Sequence, residues 1–270
     1  MKLEGKVAIV TGGGQGLGQG IVHCLAEEGA DIVIADIKED AANKTADEVK
    51  ALGRRALPIV ADLTNSEQVA KVVQDTLDTF GKIDILVNNV GGSTKASLER
   101  TSLNFVDSKD SECDQMYQLN FKANVMMSRA VIPHFIKQKS GKIVSISSIA
   151  GKGSSTTHPF YGAMKAGIIS LTKTLAAGLG EHNINVNCVC PGLIYTPANW
   201  ARFAAHHVQI LPSAKGMSPR EYFLRAVSHV PLKREQTPED IGRAVVFLAS
   251  EDAKNITGQS LNVDGGMVMS

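Results

Sequence analysis

Residues 6–18 of the 270-residue chain read KVAIVTGGGQGLG, and this stretch decides the fold. Residues 6–10 form a short continuous apolar run, which is typical of a strand buried on both faces. A glycine-rich turn follows, and then a helical pattern of apolar residues that stops at Gly29. The next apolar run, residues 32–35, ends at Asp36. Strand, glycine turn, helix, strand and acidic residue is the order of a dinucleotide-binding unit.

The glycine turn suits a bound pyrophosphate. Glycines let backbone N–H groups approach the phosphates closely, and the N-terminus of the following helix adds partial positive charge. The strict G-x-G-x-x-G spacing fits no frame, because three residues and then one residue separate the glycines at 12, 16 and 18. A tight turn without a ligand is the alternative interpretation. The residues of this turn that we predict to contact a cofactor are Gly12, Gly14, Gln15, Gly16, Leu17 and Gly18.

Asp36 bears on the choice of cofactor. A carboxylate at the end of the second strand can accept hydrogen bonds from the two adenosine ribose hydroxyls of NAD, and it repels the 2′-phosphate of NADP. Neither Gln15 nor Ile37 supplies a compensating positive charge, although Lys38 lies close in sequence. The pattern therefore predicts NAD as cofactor. The alternative is that Asp36 caps the helix that follows Lys38.

Strand-like and helix-like patterns alternate along the rest of the chain. Such alternation predicts a parallel sheet with helices on both faces, and ligands bind such a sheet at the carboxyl ends of the strands, where the strand order reverses. We therefore predict an α/β fold over residues 1–270: a single-domain Rossmann fold with a doubly wound, seven-stranded parallel sheet. The glycine turn and Asn88-Asn89 would line one crevice. The predicted strands are residues 6–10, 32–35, 56–60, 83–87, 141–147, 184–189 and 258–263.

The remaining segments divide into helices and two less regular regions. Residues 95–115 are polar and are predicted to be irregular, and residues 193–236 form a long insertion before the last strand. The insertion can act as a lid over a substrate, or its aromatic residues can pack between two short helices. We interpret its His206-His207 pair as a surface feature, and we predict no metal site. The predicted helices are 39–52, 66–80 with Ser66 as cap, 116–139, 161–181, and 238–249 with Thr237 as cap.

Tyr161 and Lys165 carry the candidate chemistry. They lie four residues apart ahead of an apolar helical pattern, so their side chains share one face of a helix. A phenol has an ordinary pKa of about 10, and a nearby ammonium lowers it, so the pair can move a proton to or from an alcohol oxygen. Ser148, at the end of the fifth strand, can hold the same oxygen. Alone, the pair has an alternative interpretation as a helix start with a surface lysine.

Composition restricts the class of protein. The chain has 43% hydrophobic residues, enough for one large core, and a net charge of +1, which argues against a nucleic-acid or acidic-membrane surface. No apolar run approaches the length of a membrane span, and the first residues do not read as a signal peptide. The cysteines lack disulfide or zinc spacing, and Cys188 and Cys190 are predicted to be buried free thiols. Together these features predict a cytoplasmic protein without a membrane or nucleic-acid partner.

With these residues in place, the chain resembles the short-chain dehydrogenase/reductase family over nearly its whole length. The family's T-G-x-x-x-G-x-G loop stands at residues 11–18. Its N-N-A-G motif stands at residues 88–91, with Val90 in place of alanine, and its P-G motif is Pro191-Gly192. The joint match is highly specific, whereas each motif alone is not.

The resemblance implies roles for the residues at matching positions. Hydride would pass between the nicotinamide ring and a substrate carbon while Tyr161 exchanges a proton with the substrate oxygen. Lys165 would lower the pKa of Tyr161 and bind the nicotinamide ribose. Ser148 would position the oxygen, although the neighbouring Ser147 leaves this assignment dependent on its distance from Tyr161. Asn120 would hold a water molecule that relays protons outward.

The resemblance also implies further cofactor contacts and an assembly. Asp62 and Leu63 would flank the adenine, and Thr196 would meet the nicotinamide amide. The family usually forms tetramers through the helices that hold Asn120 and Tyr161, so a homotetramer is expected. The segment before Asn120 is longer than in typical members, which affects one wall of the cleft. The cofactor contacts implied by the resemblance are Ile37, Asp62, Leu63, Asn89, Val90, Gly91, Tyr161, Lys165, Pro191, Gly192, Ile194 and Thr196.

These features lead to three hypotheses of function. The first is an NAD-dependent dehydrogenase that interconverts a small secondary alcohol, polyol or cyclic alcohol and its ketone. The second is a 3-oxoacyl-thioester reductase; such enzymes usually use NADPH, and Asp36 argues against that. The third is a non-catalytic NAD-binding sensor, which the intact Asn–Ser–Tyr–Lys set disfavours. Substrate specificity is expected in residues 93–97, 149–158 and 193–236. The mixed composition of the last segment suits a ring alcohol or a polyol.

Overall fold

The computed structural model describes residues 1–98, 104–155, 158–196 and 200–269. Within those residues seven strands form one sheet in the order β3-β2-β1-β4-β5-β6-β7, and every neighbouring pair is parallel. The predicted seven-stranded parallel sheet is therefore confirmed. The strands are β1 (Val7–Thr11), β2 (Asp31–Asp36), β3 (Ala56–Val60), β4 (Ile85–Asn88), β5 (Gly141–Ile146), β6 (Ile184–Pro191) and β7 (Ser260–Val263).

Helices cover both faces of this sheet and complete a single-domain, doubly wound Rossmann fold. In the part of the chain that the structure describes, none of them is both long and apolar enough to cross a membrane. The α-helices are α1 (Gly16–Glu27), α2 (Glu39–Ala51), α3 (Ser66–Phe80), α4 (Lys95–Leu98), α5 (Asp110–Tyr117), α6 (Ala123–Gln138), α7 (Pro159–Leu179), α8 (Trp200–Ile210), α9 (Pro219–Val227) and α10 (Pro238–Ala249).

Two apolar cores, one on each face of the sheet, hold the helices in place. Successive residues of β1 point to opposite faces, as in any strand. Ala8 and Val10 belong to the core that includes α1 and α10, whereas Val7 and Ile9 belong to the core that includes α3 and α6. Because both faces are covered, β1 is continuously apolar in sequence and not alternating.

The strand order reverses between β1 and β4, and a crevice opens there at the carboxyl ends of the strands. Asn89, directly after β4, crosses this point. Its Nδ2 donates hydrogen bonds to the carbonyl oxygens of Thr11 at 3.0 Å and Gly12 at 3.1 Å. The glycine turn and Asn89 therefore line one crevice, as predicted. The prediction was wrong for Asn88, which ends β4 outside the lining and donates a hydrogen bond to the Ser128 hydroxyl at 3.0 Å.

The prediction for residues 95–139 was wrong in two respects. α4 and α5 occupy part of the region that we expected to be irregular, and a π-helical turn at Gln118–Lys122 separates α5 from α6 where one helix was expected. α5 shows no apolar periodicity because only Glu112 and Met116 of its residues are buried. The π turn contains Asn120, and such turns are frequent at functional sites.

One predicted helix cap is confirmed and another is wrong. α10 begins directly after its predicted cap, Thr237. At α3 the cap is Asn65 and not Ser66. The Oδ1 atom of Asn65 accepts hydrogen bonds from the N–H groups of Glu67 at 2.9 Å and Gln68 at 3.1 Å. Because this side chain satisfies the free N–H groups at the helix start, Ser66 becomes the first helical residue.

The insertion at residues 193–236 contains two helices, α8 and α9. They pack through Trp200, whose ring centroid lies 5.0 Å from that of Phe203 and 4.9 Å from that of Phe223. The aromatic residues therefore pack between two short helices, which was one of the two interpretations of this segment. A lid motion stays a prediction.

Candidate active site

One cleft of about 750 Å³ runs along the carboxyl ends of β1 to β6. Ser148, Tyr161 and Lys165 line it together with two sets of residues that we name its nucleotide half and its substrate half. The nucleotide half is lined by residues 12, 15–18, 35–37, 61–64 and 89–92. The substrate half is lined by residues 149, 150 and 153–155 and by His158, Trp200, Phe203, His207, Tyr222, Ala226, Met267 and Val268.

The glycine turn fits a pyrophosphate. Gly12 and Gly16 have positive φ angles of 63° and 57°, which L side chains rarely adopt. A Cβ added to Gly18 would lie 2.0 Å from the Gly12 carbonyl oxygen, so no larger residue fits there. The first residues of α1 line the cleft, with no side-chain cap at Gln15 and no acidic residue in the first turn. The helix N-terminus therefore offers N–H groups to an anion without a competing carboxylate.

We expect Gly18→Ala to lower the free energy of unfolding by about 1–3 kcal/mol, because the added methyl group overlaps backbone atoms of the turn. The matched control is Gly178→Ala in α7, where an added Cβ meets nothing within 4 Å. That variant is expected to gain up to about 1 kcal/mol, since alanine favours the helix. Urea denaturation measures both, and equal effects of the two substitutions would contradict the crowding at Gly18.

Gly14 occupies a supporting position and not the contact position that we predicted. It lies beside the cleft and outside its lining. A Cβ added to it would lie 3.0 Å from the Cβ of Ala41, so α2 can approach only a glycine so closely. The N–H group of Gly14 donates to Oδ2 of Asp36 at 2.9 Å, and Gly14 thereby holds the carboxylate that faces the cleft.

Asp36 is placed to receive ribose hydroxyls. It is only 6% exposed, and it lines the cleft. Besides the bond from Gly14, its Oδ1 accepts one from the N–H of Lys38 at 3.0 Å. A carboxylate offers about four acceptor positions, so two remain. The alternative of a helix cap is wrong, because the cap residue of α2 is Lys38. The Lys38 Nζ donates to Oε1 of Gln15 at 3.3 Å, and Lys38 itself lies outside the lining.

The residues next to Asp36 fit an adenine ring. Ile37 lines the cleft with its side chain 66% exposed, and Leu63 and Asp62 line it nearby. The Oδ1 atom of Asp62 accepts hydrogen bonds from the N–H of Thr64 at 2.9 Å and from its hydroxyl at 2.7 Å, which fixes the turn after β3. An exposed apolar side chain beside fixed polar groups is typical of a ligand site.

Backbone contacts hold the loop after β4 against the glycine turn. The hydroxyl oxygen of Thr11 accepts hydrogen bonds from the N–H groups of Asn89 at 2.9 Å and Val90 at 3.1 Å. A Cβ added to Gly91 would lie 2.7 Å from Oδ1 of Asn120 and 3.0 Å from Nζ of Lys165. Only glycine permits this approach. Asn89, Val90 and Gly91 all line the cleft at the predicted positions.

The segment after β6 lines the cleft beside the candidate catalytic residues. Pro191, Gly192, Ile194 and Thr196 are all in the lining, and Thr196 is 7% exposed. The N–H of Gly192 donates to the carbonyl oxygen of Val263 at 3.0 Å, which ties this segment to the end of β7. The structure thus brings these four predicted residues together with the nucleotide half.

Tyr161 and Lys165 lie in the first two turns of α7, and both line the cleft. The side chain of Ser148 also lines the cleft, and its interaction with Tyr161 lowers the pKa of the phenol. Ser147 has a different partner, because its hydroxyl donates to the backbone carbonyl oxygen of Lys165 at 2.8 Å. Ser148 is therefore the candidate catalytic serine, whereas Ser147 joins the end of β5 to α7.

Burial controls the protonation of both groups. It raises the pKa of Tyr161, and the interaction with Ser148 offsets this in part. Burial also lowers the pKa of Lys165 to about 8. The Nζ atom of Lys165 donates to the carbonyl oxygen of Ile146 at 2.9 Å and lies 5.6 Å from the Tyr161 ring centroid. Lys165 is not among the groups that shift the pKa of Tyr161 here, so the expected lowering of that pKa by Lys165 stays a prediction.

Asn120 lies behind the wall of the cleft and not in its lining. It is 1% exposed, so it is not a surface residue. Its Oδ1 accepts a hydrogen bond from the N–H of Gly92 at 2.7 Å, and its Nδ2 donates to the Gly92 carbonyl oxygen at 3.0 Å. The side chain thus clamps the loop after β4. Contact with a relaying water stays a prediction.

Several residues of the substrate half were missed or misjudged. The interpretation of His206-His207 as a surface pair was wrong, because His207 is 2% exposed and lines the cleft. The spacing of Trp200, Phe203 and His207, at i, i+3 and i+7, was the signal that they share one helix face. Met267 and Val268 line the cleft although no sequence pattern marked them. Within the described ranges, no three His, Cys, Asp or Glu side chains are grouped as metal ligands.

Comparison with known proteins agrees with this geometry. A family model described as Enoyl-(Acyl carrier protein) reductase matches residues 12–268. The chain is 35% identical over 269 residues to the 3-oxoacyl-(acyl-carrier-protein) reductase FabG of Thermotoga maritima, with 100% of each chain covered.

Two solved structures extend the comparison. One is NAD⁺-bound xylitol dehydrogenase, with a TM-score of 0.90 and 30% identity, covering 98% of this chain and 100% of that chain. The other is 7α-hydroxysteroid dehydrogenase complexed with NADH and 7-oxo glycochenodeoxycholic acid, with a TM-score of 0.84 and 32% identity, covering 100% of this chain and 96% of that chain. Motif order, sheet topology and full-length similarity agree, and the chain belongs to the short-chain dehydrogenase/reductase family of oxidoreductases.

Proposed function

We propose that this protein is an NAD(H)-dependent dehydrogenase that interconverts a secondary alcohol and its ketone. The observation that carries the proposal is that Ser148, Tyr161 and Lys165 line one cleft that also contains the Asp36 carboxylate. The similarity to NAD⁺-bound xylitol dehydrogenase and to 7α-hydroxysteroid dehydrogenase complexed with NADH supports the choice of cofactor. Asp36 supports it independently, because a carboxylate repels a 2′-phosphate.

Each residue of the candidate site has its own role in this reaction. When bound, NAD accepts a hydride at its nicotinamide ring, and NADH donates one. Tyr161 gives a proton to the ketone oxygen during reduction and takes one from the alcohol during oxidation. Ser148 holds the phenol and the substrate oxygen in line. Lys165 contributes a positive charge next to Gly91, where the nicotinamide ribose is expected, and Asn120 keeps the loop after β4 in position.

The raised pKa of Tyr161 predicts different pH profiles for the two directions. Reduction uses the phenol, which is the form present at neutral pH, so its kcat/KM should stay level there. Oxidation uses the phenolate, whose fraction rises with pH up to the pKa, so its kcat/KM should rise with pH. Lys165 loses its charge above a pH of about 8, and the rise should weaken there. Steady-state rates in both directions across this range give the test, and an oxidation rate that falls with rising pH would contradict it.

A 3-oxoacyl-thioester reductase is the second candidate. The specific observation in its favour is the full-length similarity to the Thermotoga maritima reductase. The two candidates differ in substrate and in cofactor, because Asp36 disfavours NADPH. A cytoplasmic location and a homotetramer, both expected from the sequence, stay predictions, and light scattering after size-exclusion chromatography measures the second.

A substrate panel tests the proposal. NAD⁺ and NADP⁺ are supplied separately with acyclic secondary alcohols, polyols, cyclic alcohols, hydroxysteroids and 3-hydroxyacyl thioesters, and the absorbance of the reduced nicotinamide is followed. Oxidation of an alcohol class with NAD⁺ is the expected result. Turnover restricted to thioesters and NADP⁺ would replace the proposal by the second candidate. Silence across the panel, with NADH binding shown by fluorescence, would favour the sensor hypothesis.

A further inference from the structure

Rings on two helices form a wall of the substrate half. α8 contributes Trp200, Phe203 and His207, which lie on one face of the helix, and α9 contributes Tyr222. We call these four residues the aromatic wall. Ring centroids lie 5.0 Å apart for Trp200–Phe203, 4.0 Å for Phe203–His207 and 5.7 Å for His207–Tyr222. Such a surface packs against an apolar ring system better than against a chain of hydroxyl groups.

The substrate half carries little charge. Of the described residues that line the whole cleft, those with Asp, Glu, Lys or Arg side chains are Asp36, Asp62 and Lys165. The first two belong to the nucleotide half. Burial, with a smaller contribution from His206, lowers the pKa of His207 to about 4, so its ring is uncharged at neutral pH. An uncharged ligand therefore enters this half without leaving a buried ion unpaired.

A hydrogen bond joins two members of the aromatic wall. Nδ1 of His207 lies 3.0 Å from the hydroxyl oxygen of Tyr222. Nε2 of the same ring is buried and has no hydrogen-bond partner in the described part of the chain. An unpartnered buried nitrogen is destabilising, and leucine at the same position would avoid that cost. The bond to Tyr222 is the compensating feature, and it fixes the direction of a hydroxyl group at the cleft.

We infer that the Tyr222 hydroxyl, held by His207, binds a second, uncharged oxygen of a cyclic substrate whose reacting oxygen lies at Tyr161. The inference rests on the proposed function and adds the substrate class: cyclic alcohols or ketones that carry a further hydroxyl or keto group. A phenol hydroxyl both donates and accepts hydrogen bonds. If the Tyr222 hydroxyl donates to Nδ1 of His207, it can accept a hydrogen bond from a substrate hydroxyl; if Nδ1–H donates to it, it can donate to a substrate keto or hydroxyl oxygen. Tyr222 is then a specificity residue, and His207 is a positioning residue.

Matched pairs of ketones test this inference: cyclohexanone against hydroxycyclohexanones, and decalone against hydroxydecalones. Each ketone is reduced with NADH, and both members of a pair carry one reacting carbonyl group. In at least one pair the wild-type protein is expected to favour the hydroxylated member in kcat/KM by about 2- to 13-fold, mainly through KM, which is the value of one neutral hydrogen bond.

Variants distinguish the assigned roles from a general loss of structure or of cofactor binding. Tyr222→Phe and His207→Leu should both remove the preference, measured as the ratio of kcat/KM values within each pair, while the affinity for NADH stays near wild type. His207→Asn, which keeps a polar group near the position of Nδ1, should restore part of the preference. His207→Leu should change the melting temperature little, because removal of the unpartnered nitrogen offsets the loss of the bond to Tyr222. The matched control is Tyr195→Phe, which packs on Phe223 outside the lining and should change nothing.

The outcomes distinguish this inference from the proposed function. Equal kcat/KM within every pair for the wild type would overturn the inference and leave the proposed function standing, since ketone reduction would still be seen. A preference that survives Tyr222→Phe would also overturn it. If no ketone were reduced although NADH binds, both the inference and the proposed function would fall.

Discussion

Tyr161→Phe should reduce kcat by about 10²- to 10⁴-fold while the affinity for NADH stays within about twofold of wild type. Phenylalanine preserves the ring and its packing but lacks the hydroxyl to which the proton transfer is assigned. Lys165 is a poor substitute as proton donor, because its Nζ is bound to the carbonyl oxygen of Ile146. The loss should therefore lie in the chemical step and not in cofactor binding.

Steady-state kinetics and NADH fluorescence titration measure these two quantities separately. Tyr117→Phe is the matched control, because Tyr117 is 42% exposed on α5 and does not line the cleft. It should behave like the wild type. Turnover retained in Tyr161→Phe would show that another group transfers the proton, and the role assigned to Tyr161 would be wrong.

Asp36→Asn should lower the preference for NAD over NADP, expressed as a ratio of kcat/KM values, by about 10- to 100-fold. Hydrogen bonds to a charged group contribute about 1.5–3 kcal/mol, and the substitution also removes the repulsion of a 2′-phosphate. The carboxylate accepts hydrogen bonds from the N–H groups of Gly14 and Lys38. Asparagine keeps an oxygen for only one of these two bonds. A modest loss of stability is therefore expected as well.

The control for this variant is Asp40→Asn, an exposed acidic residue in the first turn of α2. It removes the same charge close by without touching the cleft. If both substitutions changed the cofactor ratio equally, the effect would be one of general charge and not of contact with the ribose. A wild-type protein that turned over with NADPH alone would contradict the role of Asp36 altogether.

Most of the nucleotide half was predictable because it depends on local patterns. The apolar run of β1, the glycine turn at residues 11–18 and Asp36 follow one another in the chain, and each has a physical requirement that limits the residue type. The sheet was predictable for the same reason, since strands buried on both faces are short and continuously apolar. Ser148 required the structure, because two adjacent serines differ only in the partners that the fold brings to them.

The features that could not be predicted from the sequence depend on contacts between distant segments. α5 is mostly polar, and the π turn at Asn120 has no periodicity of its own. Met267 reaches the cleft only because of the path that the chain takes after β7. The pKa of Tyr161 is raised by desolvation, which cannot be inferred from the spacing of residues in the sequence. The burial of His207 could have been predicted from the sequence, since its spacing from Trp200 and Phe203 is helical.

The measurement that tests the central claim most directly follows the transferred hydrogen itself. The protein is incubated with NAD⁺ and a panel of cyclic secondary alcohols that carry deuterium on the carbinol carbon, and mass spectrometry is applied to the nucleotide and the organic product. The account predicts one deuterium in the reduced nucleotide for each ketone formed, and loss of both products in Tyr161→Phe. Unlabelled nucleotide with every alcohol of the panel, although NAD⁺ is bound, would contradict it.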